Sequence, residues 1–220
     1  MESTLGLRDR KKLEMRHRLG DVAARLFAAK GYDAVSMSDV ARAADVSEQT
    51  VYNYFSSKPE LVLDRDEEIR LRLGQVVRDR PAGSSPADAL QPIVGEDIDR
   101  FVDADGSIAK GEFPAQSLES PVLRRFALES RDRQAETIAS AILETNPDLN
   151  AVIVRAHAAA LVAVIQAITD RIGRAIIDDA SRAEVASTLR DDATAALGNL
   201  RDHFATLSGR KPRPSRRTKR

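Results

Sequence analysis

The chain has 220 residues, and its 34 basic and 34 acidic side chains cancel to a formal net charge of zero. Hydrophobic residues make up 42% and charged residues 31%, which excludes a wholly disordered chain, and the absence of cysteine excludes disulfides, thiolate metal sites and cysteine nucleophiles. Aromatics are only 4% and tryptophan is absent, so the core has to be built from Ala, Leu, Val and Ile, and the wealth of strong helix formers predicts an all-α protein.

Residues 1–7 read as a loose arm. From Arg8 a helix is predicted, with Met15, Leu19, Val22, Ala23, Leu26 and Phe27 on one stripe, Lys30 in its last turn and Gly31 just past its end. Ser36 opens a second, short helix through a capping box with Asp39. Asp45 and Val46 form a turn, and Ser47 caps a third helix through Thr50, Val51 and Tyr54. Pro59 suits the start of a fourth helix that continues through Ile69 and Val76. RPAGSSP at 80–86 is a composition break. Beyond it, a helix is predicted over 87–102, a loop over 103–114, and helices over 121–145, 150–172 and 181–207. The last carries Val185, Ala186, Leu189, Ala193, Ala196, Leu197, Leu200, Phe204 and Leu207 on one face.

Charge is distributed unevenly. Residues 81–208 hold 12 basic against 20 acidic side chains, whereas 209–220 hold seven basic and no acidic ones and read as a disordered basic tail. The charged N-terminus has no signal-peptide pattern, and the apolar run near 151–168 contains Arg155, His157 and Gln166, so it reads as a buried helix. A cytoplasmic protein without a membrane partner is expected. No metal-ligand spacing, phosphate loop or nucleophile elbow is present, so neither enzyme activity nor a cofactor is expected; His17, His157 and His203 are far apart in the chain.

The stretch SMSDVARAADVSEQTVYNYFSSKPELVL at 36–63 is the informative one. Two short helices joined by a tight turn make a helix-turn-helix, whose second helix lies in the DNA major groove. Glu48 and Gln49, at the start of that helix, either face base edges, where Gln pairs with adenine and Glu accepts from cytosine, or are ordinary first-turn residues. Thr50, Tyr52, Tyr54 and Lys58 suit contacts to phosphates or the groove edge, against which stands a Tyr54 that merely packs on the first helix. Arg8, Arg10, Lys11 and Lys12 form a basic cluster that reads as an arm reaching a minor groove or phosphates, or as a solvated helix start.

The first helix ending LFAAKGYDAVSM, then DVARAADVSEQTVYNYF and SKPEL, resemble the N-terminal domain of the TetR family of transcriptional regulators over residues 8–63. Two positions depart from the pattern: Asp45 stands where Gly is common, and Ser56 where Pro is common. The resemblance implies a three-helix DNA-binding domain over 8–56, a connecting helix over 57–80, and a helical ligand-binding and dimerisation domain over 81–208. It also implies a homodimer on a duplex operator, released by a small-molecule effector, and phosphate contacts by Ser36, Ser47, Tyr54 and Lys58. Ser120 to Ile172 is loosely similar to a mycofactocin-type, acyl-CoA-responsive subgroup, so a lipophilic or acyl-CoA effector is one expectation. Arg124, Arg125, His157 and Gln166 are candidate ligand contacts, the bland alternatives being a solvated helix face for the arginines and a hydrogen-bonded core or interface residue for His157. The functional alternative is a DNA-binding regulator that needs no ligand or answers to a partner protein.

Overall fold

The computed structural model describes residues 6–63, 65–104 and 106–209, and among these every regular element is helical. They are α1 (Leu7–Lys30), α2 (Met37–Ala43), α3 (Glu48–Tyr54), α4 (Asp66–Arg78), α5 (Pro86–Asp103), α6 (Gly106–Ala109), α7 (Phe113–Glu119), α8 (Pro121–Thr145), α9 (Ala151–Ile177) and α10 (Arg182–Leu207). The all-α expectation holds. Two compact units emerge: one gathers the chain up to Glu67 with Asp103–Leu128 and Thr169–Ser181, the other Glu68–Val102, Glu129–Ile168 and the chain from Arg182. Both draw residues from the range 81–208.

In the first unit Leu19, Ala23 and Phe27 of α1, Val40 and Ala41 of α2, and Val51 and Phe55 at α3 form one buried core, which Leu123 of α8 completes. Burial of these side chains is what holds helices as short as α2 and α3, which would be marginal alone. Three expectations need correction. The basic cluster Arg8, Arg10, Lys11 and Lys12 lies exposed inside α1, which begins at Leu7, so of its two readings the arm gives way to the solvated helix start. The fourth helix is interrupted: Lys58–Leu61 is a 3-10 turn that carries Leu61 and Val62 into the core, and α4 starts afresh at Asp66. The segment 103–114 contains α6 and the start of α7; Pro114 sits in the first turn of α7, where its missing N–H removes no helical bond.

Glycines set two close approaches in this unit. A Cβ on Gly111 would lie 1.7 Å from the Ala24 carbonyl oxygen, so the α6–α7 link rests directly on the second half of α1. A Cβ on Gly173 would lie 2.0 Å from the Pro114 carbonyl oxygen, which brings α7 equally close to α9.

The second unit is a helical bundle. Leu90, Val94 and Ile98 of α5, Ile138 and Ile142 of α8, Ala158, Leu161 and Val162 of α9, and Leu189 and Leu197 of α10 are buried. On its surface Arg72–Glu96 (2.6 Å) ties α4 to α5, a two-bond Arg78–Glu144 pair ties α4 to α8, and Arg190–Asp99 (2.6 Å) ties α10 to α5. Exposed pairs of this kind contribute roughly 0–1 kcal/mol each, so apolar burial carries the bundle. The stripe predicted on the last helix is the buried one at Ala186, Leu189, Ala193, Leu197 and Phe204. α9 is long and apolar enough to cross a membrane by length and composition, yet one face of it is built into the bundle. Its other face exposes Val152, Ala156, Ala159, Ala163 and Ala167.

Candidate nucleic-acid interface

Local hydrogen bonds fix both helices of the helix-turn-helix. The Ser36 hydroxyl accepts from the Asp39 N–H at 3.1 Å while the Asp39 carboxylate accepts from the Ser36 N–H at 2.9 Å, a complete capping box. The Ser36 hydrogen bonds, more than the nearby Arg42 and Lys30 charges, hold the Asp39 carboxyl below the usual range. At the other end of α2 the chain reverses through Asp45 at φ 54°, with Val46 N–H bonded to Ala41 O and Asp45 N–H to Arg42 O. This is a Schellman turn, and Asp tolerates its left-handed residue better than most. Arg18 of α1 donates to the Ala44 carbonyl at 2.9 Å and so satisfies the same helix end. Ser47 then caps α3 by accepting from the Thr50 N–H at 3.1 Å, and its hydroxyl lies 2.8 Å from that of Thr50.

The C-terminal end of α3 is held by α1. The Arg16 guanidinium donates to the Tyr54 carbonyl and lies 4.2 Å from the centre of the buried Phe55 ring. The Ser56 N–H donates to Glu60 at 2.8 Å. A proline at Ser56 could not make that bond, so this departure from the family pattern has a structural use.

With its back on the core, α3 turns Glu48, Gln49, Tyr52 and Asn53 outward, and Tyr52 is 45% exposed. The Gln49 amide donates to the Asn53 side-chain oxygen at 3.2 Å. Asn53 escaped the sequence reading, although its spacing of four from Gln49 was the available signal. Arg42, 77% exposed on α2 and 3.2 Å from Asp39, is an exposed cation of the helix-turn-helix outside the predicted contacts. Tyr54 is half-buried. Lys58 stands 4.1 Å over the Tyr32 ring and 3.4 Å from the Asp33 carbonyl. Desolvation there lowers the Lys58 pKa, with Asp33 opposing it, while burial and then Asp33 push the Tyr32 hydroxyl up to about 12. All the sequence-predicted DNA contacts therefore fall in one compact unit, on or beside α2 and α3.

The four candidate ligand contacts are not gathered in this way. Arg124 and Arg125 belong to the first unit, His157 and Gln166 to the second. The Arg124 guanidinium grips Asp170 through two bonds of 2.7 Å, which raises its pKa, first through that hydrogen bonding. Arg125 is exposed on α8, and Gln166 is half-buried on α9. His157 is 2% exposed. Its Nδ1 lies 3.3 Å from the Nδ1 of His203 on α10, its ring is 5.3 Å from Phe204, and its Nε2 is buried with no hydrogen-bond partner. Burial, and then His203, bring its pKa down to about 4. No local pattern announces a pair 46 residues apart in the chain.

The sequence model of the family described as bacterial regulatory proteins, tetR family, matches residues 19–64. Over 57 residues the chain is 42% identical to a Mycobacterium tuberculosis protein named as a mycofactocin biosynthesis transcriptional regulator, MftR, covering 26% of this chain and 27% of that one. Over 85 residues it is 34% identical to the HTH-type transcriptional regulator TcmR of Streptomyces glaucescens, covering 39% of this chain and 38% of that one. The matches thus span well under half the length of these curated relatives. Native NalD of Pseudomonas aeruginosa, described as the secondary repressor of the MexAB-OprM multidrug efflux pump, aligns with a TM-score of 0.55 at 20% identity, over 86% of this chain and 96% of that one. A likeness at that identity speaks to the fold.

Proposed function

We propose that this chain, which belongs to the TetR family of transcriptional regulators, is a homodimeric repressor that binds a palindromic duplex operator and releases it when a small molecule occupies its helical domain. The observation that carries the reading is the exposed face of α3, held at its start by the Ser47 cap, behind by the buried Val51 and at its end by Arg16. Gln49 and Glu48 read base edges, with Asn53 beside them. Thr50, Tyr52, Tyr54 and Lys58, with Ser36 and Ser47 at the helix starts, set the register on phosphates and groove walls. Lys58 leaves the Tyr32 ring to do so.

The exposed small-residue face of α9 suits a second copy of the chain, because alanines let two helices approach closely around a two-fold axis. Such a dimer presents two α3 helices to half-sites about 34–36 Å apart or a multiple of it. The effector is apolar or amphipathic, with the acyl-CoA class indicated by the subgroup resemblance, and His157 supplies a neutral polar contact. Gln166, on the same helix, is a further contact. By linkage, effector and operator weaken each other by one factor. A cytoplasmic location follows from the role.

The test is selection of bound duplexes from a random pool at about 150 mM salt, followed by sequencing. A palindrome bound by two protomers is expected. Enrichment of an unpaired half-site would remove the dimer, and purely salt-dependent binding with no motif would remove specific readout.

A further inference from the structure

The family model matches from residue 19, and α1 begins three helical turns earlier, at Leu7. Within Leu7–Arg18 six basic side chains (Arg8, Arg10, Lys11, Lys12, Arg16 and Arg18) face two acidic ones, Asp9 and Glu14. Spacing of four puts Arg8, Lys12 and Arg16 in one row along the helix. Arg16 fixes where that row points, since its guanidinium sits on Phe55 and donates to the Tyr54 carbonyl at the end of α3. Arg8 and Lys12 therefore continue the row past the end of the recognition helix, and both are exposed. Gly111 covers only the later part of α1, at Ala24 and Ala28.

Building on the DNA-binding reading, we infer that the first three turns of α1 are a second DNA-binding element, in which Arg8 and Lys12 contact phosphates of the duplex flanking each half-site. A regular helix holds these cations at fixed spacing beside the groove in which α3 lies, so their contacts widen the footprint and add no base readout. The partner is the sugar-phosphate backbone. Each phosphate neutralised releases condensed counterions, so the element shows itself in the salt dependence of binding.

The test compares the full-length wild type, the double variant R8Q/K12Q and the single variant R10Q by fluorescence anisotropy on random-sequence duplexes, between about 50 and 200 mM salt. Arg10 lies on the opposite side of α1 from Arg8 and Lys12, so R10Q removes charge from the same segment without touching the row. Equal melting temperatures establish that all three are folded. The expected result is a log–log salt slope shallower by about 0.9 for each lost phosphate contact, hence by about 3 to 4 in an R8Q/K12Q dimer, with little change in R10Q. An unchanged slope in R8Q/K12Q, or an equal change in R10Q, overturns the inference while leaving DNA binding by α3 in place. Failure of the wild type to bind any duplex overturns both. Loss by R8Q/K12Q of binding to phosphatidylserine vesicles, with the DNA slope intact, would assign the row, with the exposed Leu7 and Leu13, to a membrane surface instead.

Discussion

The unit carrying the helix-turn-helix and the helical unit are stabilised by different means. In the first, short helices are pinned at nearly every end by named polar contacts: the Ser36–Asp39 box, the Asp45 turn, the Ser47 cap, and Arg18 and Arg16 on helix-terminal carbonyls. Backbones also meet directly at Gly111 and Gly173. In the second, long helices meet through aliphatic side chains, and its buried histidine has one imidazole partner and one orphan nitrogen. The difference teaches that a surface that must match a rigid duplex is held by directional bonds, whereas a domain proposed to accept a ligand rests on apolar contacts that can repack.

The comparison breaks most visibly at Phe55. Its ring is fully buried under Arg16, so Phe55→Ala should cost about 3–5 kcal/mol in urea unfolding and abolish DNA binding. A loss below about 1 kcal/mol would show that the polar contacts hold α3 without the core. One glycine from each unit extends the comparison. Gly111→Ala drives a Cβ into the α1 backbone and should destabilise by about 1–3 kcal/mol, whereas Gly95→Ala on α5 meets nothing within 4 Å and should stabilise by about 0.5–1 kcal/mol. Equal effects in thermal unfolding would contradict the close approach.

His157 gives the helical unit a pH signature. It is neutral in the fold and titrates at its ordinary 6.5 when unfolded, so the unfolded chain binds the extra proton. Stability from this group is fully present above pH 6.5 and is lost as the pH falls toward 4, by up to about 3 kcal/mol. His157→Leu should remove that loss relative to wild type and lie within about 1 kcal/mol of it at pH 7. Parallel pH profiles would place the imidazole in solvent. A small effect is expected at the cap: Ser47→Ala should cost about 1 kcal/mol in urea unfolding, and a neutral result would show that the Thr50 N–H finds another partner.

The first unit was legible where its signals are local. Ser36, Asp39, Asp45 and Ser47 announce their roles within four residues, and the turn and both caps stand where the sequence places them. The interruption after Leu61 was not legible, because the pull of Leu61 and Val62 into a core shared with α1 is a long-range effect. Gly111 and Pro114 read as loop signals, and only the fold turns the glycine into a contact point with α1. Asn53 was within reach of the four-residue spacing that carries Gln49. The His157–His203 pair was not, since nothing in either helix marks which turn faces the other. The basic segment 210–220, read as a tail, lies outside the described residues.

The central claim is that the outward face of α3 reads sequence. Its most direct test is duplex selection with wild type, Gln49→Ala and Asn53→Ala side by side at one salt concentration. The account predicts a palindrome for the wild type and, for Gln49→Ala, the same palindrome with one base pair per half-site relaxed, at a cost of about 1–3 kcal/mol in discrimination there. An identical motif and identical discrimination in all three proteins would contradict it.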